Sequence, residues 1–226
     1  MFAENILSSG CADLNLTVPE ISKHSPDASY CYKGEAFPHI VIEILDSQKK
    51  RKALKSLVYD YIIGSRGSIG MVIAFDIGER SGKEATLSIW RPMNQAGPAG
   101  NTLITQAVQK DQLFRNHEGF PTGQGLRLCL KDFAIEETIE PLRSGLGLDL
   151  IGHEMVISAE DLCGLLEEAE EHVKLLKEGN GKTSQMFAGC KIAPRPESRA
   201  EDYSESGSEG DDPTMRISTR VSLFGS

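Results

Sequence analysis

Pro26-Asp27-Ala28-Ser29-Tyr30, then Lys33-Gly34-Glu35, then His39-Ile40-Val41-Ile42-Glu43-Ile44-Leu45 is the stretch on which the reading of this chain turns. Glu43 interrupts an apolar run that otherwise reads as a buried strand. An ionised carboxylate there is costly unless something positive meets it. Residue 35 is the midpoint between 27 and 43, and Gly34, beside it between Tyr32 and Phe37, suits a turn. Folded back as an antiparallel hairpin, the chain sets Asp27 across from Glu43. Directly opposed side chains on one face of a sheet come within ~5 Å. Two acids that close repel each other, and a bound Mg²⁺ relieves the repulsion. Such a site is the usual core of a phosphodiester-cleaving centre. The plainer alternative puts Asp27 in a Ser-Pro-Asp turn and pairs Glu43 with a helix lysine.

With 226 residues the chain can hold one domain of ordinary size plus extras. No apolar run approaches the ~20 residues a membrane helix needs. The start, Met1-Phe2-Ala3-Glu4-Asn5, lacks the basic head and apolar core of a secretory signal. The five cysteines (11, 31, 129, 163, 190) are odd in number, widely spaced and without a CxxC pair. They fit a reducing compartment and argue against a zinc cluster or disulfide frame. An intracellular setting, nucleus or cytoplasm, is therefore expected. The net charge of −9 is unevenly placed: residues 158–178 carry seven acids and two bases, and 197–212 carry seven acids and one base. Residues 1–157, with 19 acids against 16 bases, are nearly balanced, so the acidic total does not exclude a nucleic-acid partner.

Leu14, Leu16 and Val18 alternate with polar residues and predict a first strand stopped at Pro19. After the hairpin, Asp46 or Ser47 caps a helix from about Lys49 to Ile63, ending at Gly64. Leu54, Leu57, Val58, Tyr61 and Ile62 form its apolar stripe. Ser68–Ile77 and Ala85–Trp90 read as strands, with Pro92 ending the second and Asn94–Asn101 a loop. Leu126–Phe133 alternates cleanly and reads as a late strand. Trp90, Phe114 and Phe133 are expected in packing, with the Arg115 guanidinium exposed, and His24 is expected to be exposed and idle.

Ser158-Ala159-Glu160-Asp161 predicts a helix start with Ser158 as cap and Asp161 at the third position. Leu162, Leu165, Leu166, Ala169, Val173 and Leu176 then line one face. That face either packs on the domain or serves a second copy or a partner protein. From Pro194 the chain is Ser/Glu/Asp/Gly-rich, the composition of a disordered acidic tail. Gly181-Lys182-Thr183 echoes a phosphate-binding loop, but the upstream glycine position is Leu176, so no function is assigned to it.

Pro26-Asp27 and Glu43, with a strand and helix following, resemble the PD-(D/E)XK nuclease superfamily. More closely, the chain is similar to a group of uncharacterised, mostly fungal proteins placed near the restriction endonucleases. The matching stretches are Pro26–Tyr30, Phe37–Glu43, Ser47-Gln48, Thr86–Pro92, Leu113–Asn116 and Leu126–Phe133. The resemblance implies an α/β fold with a mixed central sheet flanked by helices, Asp27 and Glu43 holding Mg²⁺ or Mn²⁺, and DNA as the substrate. It also implies a catalytic lysine two positions after the Glu, but that position is Leu45. Some relatives carry this lysine on the following helix. Of Lys49, Lys50, Lys52 and Lys55, only Lys50 shares the sheet-facing stripe, four before Leu54 and seven before Leu57. Lys50 is the expected substitute and Gln48 a neutral candidate for holding water. The run Lys49–Lys52 reads either as a solvated face or as contacts to backbone phosphates. The fold's usual first helix, which often adds an acid, has no convincing counterpart in residues 1–25; Glu20 would be that acid only by a strand-end placement.

The expected organisation is an N-terminal segment 1–13 that reads as truncated, a restriction-endonuclease-like domain over 14–135, a connector over 136–157, an amphipathic helix over 158–178 and the tail over 179–226. Two functions follow: a metal-dependent endonuclease acting on DNA through Asp27, Glu43 and Lys50, or an inactive nucleic-acid- or protein-binding module on the same fold.

Overall fold

The computed structural model describes residues 2–18, 23–77, 82–98, 100–146 and 154–178. Among them the chain builds a six-stranded mixed sheet in the order β1-β2-β3-β4-β5-β6, flanked by helices. The strands are β1 (Ile6–Ser8), β2 (Ala28–Tyr32), β3 (Ile40–Leu45), β4 (Met71–Asp76), β5 (Ala85–Gly97) and β6 (Gly100–Arg115). Only β3 and β4 run parallel, joined by helix α1 (Gln48–Gly64); all other neighbours are antiparallel. A parallel pair needs such a crossover, because a tight turn cannot reverse the chain twice.

The β2–β3 hairpin pairs Ala28 with Ile42, Ser29 with Val41 and Tyr30 with Ile40. Its turn uses Gly34 at φ 95°, a left-handed conformation that glycine adopts without a Cβ penalty. Along β3 the residues alternate between two packed faces. Val41 joins Val58, Tyr61 and Ile62 of α1 in one core, with Ile69 and Val72. Ile40 joins Met71, Ile73, Leu87 and Phe114 in a second core on the opposite face. That second face is covered by a two-stranded sheet, β7 (Leu126–Cys129) with β8 (Glu154–Ile157), and by the start of helix α3 (Ala159–Lys177). A further helix, α2 (Glu136–Leu146), begins where Glu35 Oε1 accepts hydrogen bonds from the Ile135 N–H (3.0 Å) and Thr138 Oγ1 (2.8 Å).

α1 begins at Ser47, whose side chain accepts from the Lys50 N–H, and its stripe is the expected one. Ser158 and Asp161 form a reciprocal cap at α3: Ser158 Oγ accepts from the Asp161 N–H (3.0 Å), and the Asp161 carboxylate accepts from the Ser158 N–H (3.2 Å). The buried positions of α3 are Ala159, Leu162 and Cys163, with Leu166 packed against them; Leu165 is exposed. The stripe thus runs one residue away from the Leu165 and Ala169 positions. The chain divides into two compact units, Met1–Glu170 and Glu171–Ser226; in the second, residues 171–177 are the last residues of α3 and are exposed.

Several expectations are corrected. Leu14–Val18 is not a strand. Leu14 makes a single bridge to His24, and Thr17 bonds through its N–H and hydroxyl to the Gly64 carbonyl, so the segment ties off the end of α1. The edge strand is instead β1, inside the segment expected to lie before the domain. Pro92 does not end β5, which continues to Gly97 opposite Gly100. The last β4–β5 pair is Val72 with Trp90, so Pro92 lies where β4 no longer pairs and its missing N–H costs no ladder bond. Leu126–Phe133 is strand only to Cys129; Leu130–Phe133 is a 3-10 turn in which Asp132 Oδ2 accepts from the Cys129 N–H (2.7 Å). The Arg115 guanidinium is buried, donating to the Lys83 carbonyl and to Glu170 (2.6 Å). Glu20, the phosphate-loop echo at 181–183 and the tail over 179–226 lie outside the described residues.

Candidate functional site

The hairpin register carries Asp27 to Glu43. Ala28 pairs with Ile42, so Asp27, one residue before β2, takes the next position outward, facing Glu43. Asp27 does not continue the ladder. Its Oδ2 instead accepts a hydrogen bond from the Ile44 N–H at 2.7 Å, which holds the carboxylate against β3. Both acids meet α1: Tyr61 donates to Glu43 Oε1 at 2.6 Å, and Lys50 Nζ approaches Asp27 Oδ2 at 3.4 Å. The two carboxylates therefore share the α1 face of the sheet.

Their surroundings differ. Glu43 is 5% exposed, whereas the Asp27 and Lys50 side chains are each 38% exposed. The site has a dry floor and a wet mouth. Burial pushes the Glu43 carboxyl above its ordinary range, and the nearby Asp27 charge pushes the same way. The Tyr61 hydrogen bond, Lys50 and His24 oppose this, but burial dominates. The Tyr61 hydroxyl is also pushed up, by its own burial first and by Glu43 second.

Lys50 Nζ also donates to the Ile44 carbonyl at 3.0 Å. One ammonium thus bridges a carboxylate from one side of the hairpin and a backbone oxygen from the other. Leu45, two positions after Glu43 and 3% exposed, packs where the resemblance places a lysine. Arg51 bonds through Nε to Asp76 at 2.9 Å, and Asp76 lies opposite Leu45 on β4. The basic run is therefore split: Lys50 and Arg51 turn toward the sheet, while Lys49 and Lys52 are exposed, as is Gln48.

His24 is not idle. Its Nε2 lies 2.8 Å from Asp60 Oδ2, and its ring packs edge-on against Tyr61 with centroids 5.6 Å apart. The cluster is thus His24, Asp27, Glu43, Lys50, Asp60 and Tyr61, with the Ile44 carbonyl. Sequence reading missed Tyr61, the His24–Asp60 pair and that carbonyl. The first had a signal: a tyrosine in a buried helical stripe needs an acceptor, and an acid in a buried strand needs a donor.

The oxygens of Asp27, Glu43 and Ile44 are hard donors, the kind Mg²⁺ and Mn²⁺ take. In that respect the residues present fit such an ion. Among the described residues, no three His, Cys, Asp or Glu side chains gather around one position, so a third protein donor is the carbonyl. A cavity of about 520 Å³ lies elsewhere, at the start of β3 and β4, where His39 Nδ1 bonds the Asp132 carbonyl (2.8 Å) and Arg91 pairs with Asp132 (3.0 Å). It holds none of the six clustered residues.

No family model matches the chain, and neither the curated proteins nor the solved structures contain a significant match. Among the described residues no helix is long and apolar enough to cross a membrane.

Proposed function

We propose that this is a nuclease-like protein of the restriction-endonuclease-like, PD-(D/E)XK type, whose centre is Asp27, Glu43 and Lys50 and whose substrate is DNA. The observation that carries the reading is the convergence of Asp27 Oδ2, the Ile44 carbonyl and Lys50 Nζ beside the buried Glu43. Asp27 and Glu43, with the Ile44 carbonyl, would hold Mg²⁺ or Mn²⁺. Bound there, the ion supplies Lewis-acid polarisation of a phosphate and a lowered pKa for water. Lys50, on the wet side, would hold the attacking water in place of the lysine absent at Leu45. Tyr61 positions Glu43 from the dry side. Exposed Lys49 and Lys52 would meet backbone phosphates without reading sequence.

A second reading is supported by the same ammonium. Lys50 already satisfies Asp27 and Ile44, as it would in an inactive nucleic-acid- or protein-binding module that kept the fold and lost the chemistry.

Cleavage of plasmid and single-stranded DNA with Mn²⁺, wild type against Glu43→Ala, tests the first reading. Cleavage confined to the wild type is the expected result. Equal traces in both proteins would mark a contaminant and leave the binding module.

A further inference from the structure

We infer that the Lys50 ammonium and a divalent ion are alternative occupants of one position, so that Lys50 is a resident counter-ion that must swing out before metal enters. This rests on the reading that Asp27 and Glu43 form a metal centre, and it adds a gate to it.

Two observations carry the inference. Two of the oxygens that a divalent ion would take, Asp27 Oδ2 and the Ile44 carbonyl, both face Lys50 Nζ, at 3.4 and 3.0 Å. The centre is also built without the lysine at its usual place: Leu45 fills that position with buried apolar atoms. Lys50 reaches in from the first turn of α1 instead. A lysine on the strand is fixed by the sheet. A lysine on a helix end has a flexible four-carbon stem and an exposed route outward. Its side chain is 38% exposed, so withdrawal into solvent breaks no packing of a dry core.

An ammonium and a divalent ion cannot share the gap. Like charges that close repel strongly where water is partly excluded. With Lys50 seated, the local charge of Asp27 is already met, and the gain from binding a cation is reduced by the cost of displacing the first one. The affinity of the wild type for metal is therefore weakened by Lys50, while cleavage needs the same side chain once metal is in. One residue then has opposite effects on two measurements, which a purely structural ion pair would not produce.

The test titrates Mn²⁺ into the full-length protein near neutral pH, reading the free aqua ion by electron paramagnetic resonance. Lys50→Met is compared with wild type, with Lys50→Gln as a second variant and urea unfolding as the check that each is folded. The expected result is Mn²⁺ binding roughly tenfold tighter in both variants, within the usual span of coupling between mutually exclusive ligands. Adding Asp27→Asn to Lys50→Met should abolish the gain. Equal affinity in wild type and both variants overturns the gate but leaves the metal centre standing. No binding in any of them overturns both.

Discussion

Tyr61→Phe deletes one oxygen and keeps the ring, which is fully buried in the core between α1 and the sheet. That oxygen donates to Glu43 Oε1 at 2.6 Å in a site where Glu43 is itself 5% exposed. A hydrogen bond to a charged group contributes ~1.5–3 kcal/mol, and its loss here leaves a buried carboxylate oxygen without that donor. The expected destabilisation near neutral pH is about 2 kcal/mol, read by urea unfolding. In a Glu43→Gln background the bond is between neutral groups and the same substitution should cost about 1 kcal/mol. The difference between the two losses is the part owed to the charge, and a double-mutant cycle isolates it. The loss should also shrink on the acid side. The folded-state pKa of Glu43 is raised, so as pH falls the carboxyl becomes protonated in the native protein before it does so in the unfolded chain, and the demand for a donor weakens. A loss below about 0.5 kcal/mol near neutral pH, or equal losses in both backgrounds, would refute the claim that Tyr61 makes the burial of a charged Glu43 tolerable.

Two further outcomes are expected. The raised pKa of Glu43 means that its contribution to stability is fully present below the ordinary carboxyl value of 4.5 and is lost as pH rises through the folded value. Glu43→Gln should therefore flatten the stability–pH curve above 4.5, and an unchanged slope in urea titrations across that range would contradict it. Gly70→Ala would place a Cβ within the ring of His39, which rests on that glycine while bonding the Asp132 carbonyl at 2.8 Å. Overpacking of this kind costs about 1–3 kcal/mol. The loss should show in melting temperature and largely vanish in a His39→Ala background; persistence there would place the strain elsewhere.

The parts legible in sequence were those with short-range causes. Gly34 lies beside the midpoint of two apolar stretches, and the hairpin folds about it with Ala28 against Ile42. Leu54, Leu57, Val58, Tyr61 and Ile62 repeat at helical spacing, and α1 buries that side. Ser158 and Asp161 mark the start of α3 because a cap involves residues three apart. The misread parts had distant causes. Whether Pro92 can stand inside a strand depends on how far β4 extends, since proline is tolerated once its N–H side has no neighbour. Arg115 reads as a surface arginine until Glu170 and the Lys83 carbonyl are brought to it. Leu14–Val18 alternates like a strand, but the open carbonyl at the end of α1 captures Thr17.

The candidate site divides in the same way. Residue order alone pointed to Asp27 standing across from Glu43, because a turn at Gly34 sets the register of an antiparallel ribbon, and Ala28 pairs with Ile42 accordingly. It also determined that Lys50 lies on the sheet-facing side of α1, since helical spacing sets the face. Only the tertiary structure decided which cation and which donor each acid receives. Glu43 takes Tyr61, from the middle of α1, and Asp27 takes Lys50, from its first turn. That choice depends on the distance and tilt of α1 over the sheet, which the packing of Val41, Val58 and Ile62 sets and no local pattern encodes.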